Sequence, residues 1–209
     1  MNKKTKLILF DWGNIVESHN TGYSCPNAWD DLLHQCGYTG NKIIFKEIGK
    51  YKLDALKNIN EWEQTYKQIA NDFNLNTNFE KFITLYKKIF DKIDYYEDVA
   101  KYQSSLKNKC YIGIFSNLSI FDKERLDKQV NLSNYDYIFL SYEFGIRKPE
   151  KLIFEKINKD LPFNPKNILF IDDKKENVEA ALNIGWNAFQ ATGLELDKIK
   201  QTCDNFLNK

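Results

Sequence analysis

Four short apolar runs stand apart from the otherwise polar chain, at residues 7–12, 110–117, 137–141 and 167–173. Each run is rich in β-branched or aromatic side chains and nearly continuous in apolarity, which is typical of parallel strands covered on both faces. Amphipathic segments of helical length, such as VAKYQSSLKNK, FDKERLDKQV and EKLIFEKINKD, precede the later runs, and KENVEAALNIG follows the last. Strand alternating with helix predicts an α/β fold, with a Rossmann-like, doubly wound parallel sheet.

The chain between the first and second runs has a different pattern. Residues from about 20 to 95 contain no convincing strand apart from the ambiguous KIIF at 42–45, and they favour several helices. An insertion of about seventy residues is too long for an ordinary crossover connection. We therefore predict a helical cap at residues 19–95, inserted into a Rossmann-like core formed by residues 1–18 and 96–209.

The predicted cap contains two candidate helix starts and several aromatic side chains. One helix is expected to begin at Asn60 with Glu63 three residues on, and another at Thr77 with Glu80. Four aromatic residues are candidates for lining a substrate pocket: Tyr23, Trp29, Tyr51 and Trp62. Aromatic side chains on amphipathic helices more often pack the interior, and we expect that of most of these.

Polar residues stand where the four predicted strands end. Asp11 ends the first, Ser116 and Asn117 end the second, Lys148 follows the third, and Asp172 and Asp173 end the fourth, with Asn177 in the next turn. Ligands of open parallel sheets bind at the carboxyl ends of the strands, so these side chains are expected to meet. Three neighbouring carboxylates repel unless a cation lies among them, and oxygen ligands favour Mg²⁺. With a lysine, a hydroxyl and an amide, they describe a phosphate site in which one aspartate is free to attack.

The segments FDWGN, FSN, RKP and IDDKKEN, in this order, resemble the four motifs of haloacid dehalogenase-like hydrolases. Each segment alone has an ordinary reading as a turn, a helix start or a solvated lysine. Together, at four strand ends in the family's order, they are specific. The predicted insertion also lies where many members of this family have a small helical cap.

The resemblance implies a role for each matching residue. Asp11 is implied to be the nucleophile that takes up the phosphoryl group, and Lys148 the cation that orients it. Ser116 and the Asn117 amide are implied to hold the phosphate oxygens, together with Lys148. The implied magnesium ligands and their supports are Asp11, the backbone carbonyl of Gly13, Asp173, and, behind them, Asp172 and Asn177.

Position 13 departs from the family's usual pattern. Most phosphatases of this superfamily have a second aspartate two residues after the nucleophile, which protonates the leaving oxygen and then activates water; this chain has Gly13. A branch with D-x-G-N at this point includes bacterial sugar-1-phosphate phosphatases, and FDWGNIV resembles it. Acid–base help is typically worth ~10²–10⁴ in rate, and metal and lysine can still stabilise the transition state without it. Glu17, His19 or a cap residue are the candidates for replacing it.

These observations predict a Mg²⁺-dependent phosphatase that hydrolyses a small phosphate monoester, with a sugar phosphate as one candidate. The alternative is a catalytically weak binding or regulatory protein that keeps the fold, and Gly13 favours it. A dehalogenase is less favoured, because dehalogenating relatives work without metal and the Asp172–Asp173 pair indicates one. A phosphomutase is less favoured because such enzymes usually retain the second aspartate. No motif in the cap identifies the substrate.

Composition and charge narrow the range of partners. The 30 basic and 29 acidic residues give no electrostatic reason to expect nucleic acid or a membrane surface. No apolar run approaches the ~18 residues of a membrane span, and the run before Asp11 is too short for a signal peptide. We expect a cytoplasmic protein, monomeric by default, whose partner is a small phosphorylated metabolite. The spacing of His19, Cys25, His34 and Cys36 matches no closed zinc template, so reduced thiols are expected.

Overall fold

The computed structural model describes residues 4–18, 21, 25–43 and 45–209. Its strands are β1 (Leu7–Phe10), β2 (Tyr111–Ser116), β3 (Tyr137–Leu140), β4 (Ile168–Asp172) and β5 (Asn187–Gln190). They form one parallel sheet in the order β3-β2-β1-β4-β5. The α/β prediction is confirmed, and the four expected strands are present; β5 at the edge of the sheet was not predicted.

Helices cover both faces of the sheet and also fill the segment between β1 and β2. They are α1 (Pro26–Gln35), α2 (Phe45–Gly49), α3 (Ile59–Asp72), α4 (Phe79–Ile89), α5 (Glu97–Leu106), α6 (Ile120–Gln129), α7 (Ser141–Phe144), α8 (Lys151–Asp160), α9 (Lys175–Asn183) and α10 (Leu196–Leu207). Short 3-10 turns lie at Leu53–Ala55, Leu132–Asn134, Pro165–Asn167 and Gly193–Glu195. No helix in the described ranges is both long enough and apolar enough to cross a membrane.

The central strand β1 shows why its sequence is apolar without alternation. Ile8 and Phe10 pack on one side, in a cluster with α5, α6 and α10, whereas Leu7 and Leu9 pack on the other with α8 and α9. All four are fully buried. In-register pairing of β1 with both β2 and β4 brings the carboxyl ends of the three strands level, so the residues that follow them share one edge.

Helices α1 to α4 form a helical insert with a hydrophobic cluster of its own. Trp29, Trp62, Phe82 and Tyr86 are buried in this cluster, and Phe121 of α6 completes it from the sheet domain. The rings of Trp62 and Phe121 lie 4.8 Å apart, with an interplanar angle of 72°. The proposed boundaries of the cap at 19 and 95 stay a prediction, because this shared packing does not by itself define them.

The helix starts in the insert differ from the predicted ones. The cap of α3 is Asn58, whose side chain accepts hydrogen bonds from the backbone of Asn60 and Glu61. Asn60 therefore lies inside the helix. The cap of α4 is Asn78. The expected cap, Thr77, instead donates from its hydroxyl to the carbonyl of Cys36 at the end of α1.

Other expectations for the insert are resolved by packing. Trp29 and Trp62 are buried in its cluster, and Tyr51 packs against the cluster while its hydroxyl donates to Asp72, so these three do not line the strand-end site.

Residues 42, 43 and 45 of KIIF form no strand, and α2 begins at residue 45. Cys36 is buried among apolar residues, as expected of a reduced thiol. Tyr23 and His19 lie outside the described residues.

Candidate active site

Three carboxylates converge at the carboxyl edge of the sheet. Asp11 follows β1, Asp172 ends β4, and Asp173 is the next residue. Each offers an oxygen within 4.8 Å of the others. Across the described ranges this is the one group of three or more potential metal-ligating side chains. The parallel register of the strands places these three side chains together at one edge of the sheet.

The two oxygens of Asp11 have different surroundings. Oδ1 accepts hydrogen bonds from the Trp12 backbone N–H at 2.7 Å and from the Ser116 hydroxyl at 2.5 Å, and lies 3.0 Å from Lys148 Nζ. Oδ2 has no hydrogen-bond partner within the described part of the chain. Burial raises the pKa of Asp11, although the Lys148 charge opposes the rise. One oxygen is thus held in place while the other is available for chemistry.

Lys148 is a buried cation between two carboxylates. Its ammonium donates to Asp172 Oδ2 at 2.6 Å and to the Phe115 carbonyl at 2.8 Å, in addition to its contact with Asp11. Burial alone would lower the pKa of Lys148, but the charges of Asp11 and Asp172 raise it above its ordinary value. These contacts stabilise the charged form of the lysine, and three oxygen partners determine its position.

Asn117 fixes the backbone that presents this lysine. The Lys148 N–H donates to Asn117 Oδ1 at 2.8 Å, and Asn117 Nδ2 donates to the Lys148 carbonyl at 3.0 Å. Both polar atoms of its carboxamide are therefore engaged with the Lys148 backbone. The role predicted for the Asn117 amide in holding phosphate oxygens stays a prediction.

Asp172 and Asp173 differ in how their oxygens are used. Both Asp172 oxygens accept from Asn177 Nδ2, at 2.9 and 3.0 Å, while Oδ1 also accepts from the Lys174 N–H and Oδ2 from Lys148. Asp172 is fully buried and fully bonded, so it supports its neighbours. Asp173 is half-buried, and burial followed by the Asp11 charge raises its pKa.

The arrangement fits a divalent cation. Asp11 and Asp173 both have a raised pKa, because negative charge is crowded and poorly solvated here. A hard cation bound between these two carboxylates would offset that crowding, and carboxylate oxygens are ligands that Mg²⁺ prefers. A cavity lies at this edge of the sheet, lined in part by Asp11, Gly13 and Lys148. The ligand role predicted for the Gly13 carbonyl is compatible with this placement and stays a prediction.

Glu17, one candidate for the missing acid, is already fully bonded. It is 2% exposed, and its carboxylate accepts two hydrogen bonds from Arg125 at 2.5 and 3.0 Å and one from Trp12 Nε1 at 2.7 Å. The Thr21 hydroxyl adds a fourth at 3.0 Å. A carboxylate held in this way has no free oxygen to offer a leaving group. Of the two histidines in the chain, His34 lies exposed on α1 beside Asp30 and is not among the residues that line the site.

Asn14 is a site residue without a role predicted from the sequence. Its side chain lines the cavity, and its Nδ2 donates to Asp173 Oδ2 at 3.1 Å. The backbone of Asn14 has a φ of 61°, in the left-handed region. The signal in the sequence was an asparagine directly after a glycine at a strand end, since asparagine tolerates this conformation better than most residues.

The chain matches a known protein family and is similar to several known proteins. A family model described as haloacid dehalogenase-like hydrolase matches residues 27–191. The chain is 24% identical over 202 residues to a D-ribitol-5-phosphate phosphatase from Bacteroides thetaiotaomicron. That alignment covers 88% of this chain and 91% of the relative.

Solved structures share the fold at lower identity. A mutant of a haloacid dehalogenase-family enzyme from Bacteroides thetaiotaomicron, in complex with magnesium and inorganic phosphate, superposes with a TM-score of 0.69 and 18% identity. It covers 91% of this chain and 96% of its own. The L-2-haloacid dehalogenase of Xanthobacter autotrophicus, with chloropropionic acid covalently bound, gives a TM-score of 0.63 at 15% identity and covers 90% and 77%. Identities of this size show a common fold.

Proposed function

This chain belongs to the haloacid dehalogenase-like hydrolase family, and from that premise we propose that it is a magnesium-dependent phosphatase acting on a small phosphate monoester. The observation that carries the proposal is the asymmetry of Asp11. One oxygen is held by Trp12, Ser116 and Lys148, whereas the other has no partner among the described residues. A nucleophilic carboxylate needs this combination of fixed orientation and one free oxygen.

The proposed reaction has two steps at Asp11. Oδ2 attacks the phosphorus of the substrate, the new O–P bond forms, and the ester P–O bond breaks as the leaving oxygen departs with the electron pair. Water then attacks the phosphorus of the aspartyl phosphate, the Oδ2–P bond breaks, the carboxylate of Asp11 is regenerated and inorganic phosphate is released. The proton lost by the water balances the one that the departed oxygen takes up from solvent. Lys148 and Ser116 would hold the phosphate oxygens during both steps. A magnesium ion held by Asp11 and Asp173 would neutralise part of the phosphate charge.

The surroundings of the leaving oxygen favour certain substrates. Gly13 offers no acid, and Glu17 is committed to Arg125 and Trp12. A leaving oxygen that is stable without a proton, such as an anomeric or acyl oxygen, depends least on acid catalysis. The named relative acts on a sugar-alcohol phosphate, so sugar and sugar-alcohol phosphates belong in the test alongside acyl phosphates.

A second candidate is a catalytically weak protein that keeps the fold and has a binding or regulatory function. The same two residues favour it, since neither Gly13 nor Glu17 supplies proton transfer. The buried Lys148 between two carboxylates argues against this candidate, because a site without catalytic activity has no physical need for such an arrangement. A dehalogenase is less supported, because that reaction attacks carbon without a metal ion, whereas the cluster of Asp11, Asp172 and Asp173 favours one.

The deciding experiment measures phosphate release from a panel of sugar 1-phosphates, sugar-alcohol phosphates, acyl phosphates and nucleoside monophosphates, with Mg²⁺ and with chelator. The variant is Asp11→Asn, and the matched control is Asp197→Asn, the same change at an exposed position on α10. We expect magnesium-dependent release that Asp11→Asn abolishes and Asp197→Asn retains.

Two other outcomes are informative. Magnesium binding without release from any substrate would support the regulatory candidate instead. Chloride release from a 2-haloacid in the presence of chelator would contradict the phosphatase proposal and favour a dehalogenase.

A further inference from the structure

Asn14 has a backbone conformation that is unfavourable for most residues with a side chain. Its φ is 61°, in the left-handed region that glycine enters at least cost. Two hydrogen bonds lock the backbone there: the Asn14 N–H donates to the Glu17 carbonyl at 2.7 Å, and the Asn14 carbonyl accepts from the Gly193 N–H at 2.8 Å. Glycine could make both bonds with less strain, so the backbone does not explain the asparagine.

The bond to Gly193 shows how tightly this loop is packed. A Cβ at position 193 would lie 2.1 Å from Tyr96 Cδ2 and 2.6 Å from the Ile15 carbonyl oxygen. The absence of a side chain at Gly193 lets the two loops approach and places Tyr96 beside Asn14. The conformation of Asn14 is therefore imposed by its neighbours on both sides.

The carboxamide of Asn14 makes two hydrogen bonds, and the shorter one is to Asp173. Nδ2 donates to Asp173 Oδ2 at 3.1 Å, while Oδ1 accepts from the Tyr96 hydroxyl at 3.5 Å. The opposite orientation of the amide would place an oxygen against the carboxylate, so this one is favoured. Asp173 Oδ1 has no hydrogen-bond partner within the described ranges.

We propose that Asn14 is a positioning residue of the metal site. Its carboxamide occupies Oδ2 of Asp173 and thereby leaves Oδ1 directed to the cation shared with Asp11. The inference rests on the proposed magnesium-dependent function and adds to it a side chain that acts through a ligand without touching the metal. Residues that hold a metal ligand by a hydrogen bond typically change metal affinity about 10–100-fold when they are removed.

The test is Asn14→Gly, because glycine keeps the left-handed backbone and its two hydrogen bonds and removes only the side chain, with its bonds to Asp173 and Tyr96. The matched control is Asn74→Gly, since Asn74 is also left-handed, with a φ of 50°, but is exposed at the end of α3. The dissociation constant of Mg²⁺ is measured by titration calorimetry, and melting temperature is measured in chelator. Phosphate release is then followed against Mg²⁺ concentration.

We expect Asn14→Gly to raise the Mg²⁺ dissociation constant about tenfold or more, and to shift the Mg²⁺ dependence of phosphate release in parallel. Its melting temperature in chelator should equal or exceed that of the wild type. Asn74→Gly should leave Mg²⁺ binding unchanged. Wild-type Mg²⁺ affinity in Asn14→Gly, an equal loss in both variants, or a lower melting temperature in chelator for Asn14→Gly alone would each overturn the inference. Absence of Mg²⁺ binding by the wild type would instead overturn the proposed function.

Discussion

Replacing Glu17 by glutamine distinguishes a structural carboxylate from a catalytic one. Glu17 is buried and accepts hydrogen bonds from Arg125, Trp12 and Thr21. In Glu17→Gln one oxygen becomes an NH₂ group, which would face N–H donors. Breaking a buried ion pair from one side typically costs about 3–5 kcal/mol, because the remaining charge stays buried without its partner.

This loss of folding free energy corresponds to a fall in the melting temperature. For a domain of about 150–250 residues, each kcal/mol shifts Tm by roughly 2–4 °C, so the expected fall is about 6–20 °C. Because no bond of Glu17 reaches Asp11, we expect turnover of the folded variant to stay close to that of the wild type. Loss of a general acid or base would instead lower kcat by ~10²–10⁴.

Two measurements decide between these outcomes: thermal unfolding followed by circular dichroism, and kcat measured well below the lowered Tm. Glu155→Gln is the matched control, because Glu155 pairs with Lys151 on an exposed helix face, where such pairs contribute little. Arg125→Met should also destabilise, and the double variant with Glu17→Gln should lose less than the sum of the two. An unchanged Tm with a ~10²-fold fall in kcat would refute the structural assignment and make Glu17 the missing acid.

Three further predictions concern the site and its links to the insert. Lys148→Met should lower phosphate release at least about 10²-fold, since Asp11 loses its cation; release near the wild-type rate would contradict the assignment. Asp54→Ala removes a buried partner 2.9 Å from Arg147 and should cost about 2–4 kcal/mol in a denaturant melt, whereas no loss would show that the pair is solvated. Burial raises the pKa of Asp11 and Asp173, so without metal these carboxyls favour the folded state at acid pH and oppose it above their folded pKa. Protons therefore compete with Mg²⁺, and the Tm increase produced by Mg²⁺ should be smaller at about pH 5 than at about pH 7.5; an equal increase would contradict this.

The positions of the strands were predictable because burial on both faces demands continuous apolarity, as the two-sided packing of β1 shows. The edge strand β5 was not, since Asn187–Gln190 is only partly buried and its sequence NAFQ lacks an apolar run. The start of α3 offered two asparagines, at 58 and 60, each followed by glutamate three residues on. Local sequence does not choose between such registers, because tertiary packing determines which one is used.

The meeting of the site residues was predictable from topology, but the bonds of individual side chains were not. Strand order and register bring Asp11 and Asp173 to one edge whatever their rotamers are. The pairing of Asn117 with the Lys148 backbone and of Glu17 with Arg125 joins positions 31 and 108 residues apart. Such pairings depend on the exact approach of loops, for which a single sequence contains no signal.

The position of Phe121 bears on how this protein can be recombined or divided. Its ring belongs to α6 yet lies against Trp62 and Tyr86 of the helical insert. An excised insert would expose the apolar surface that this ring covers, and a grafted one would need an equivalent aromatic on its new host. The insert is therefore not an interchangeable module: a chimaera that exchanges it for another must also exchange the first turn of α6.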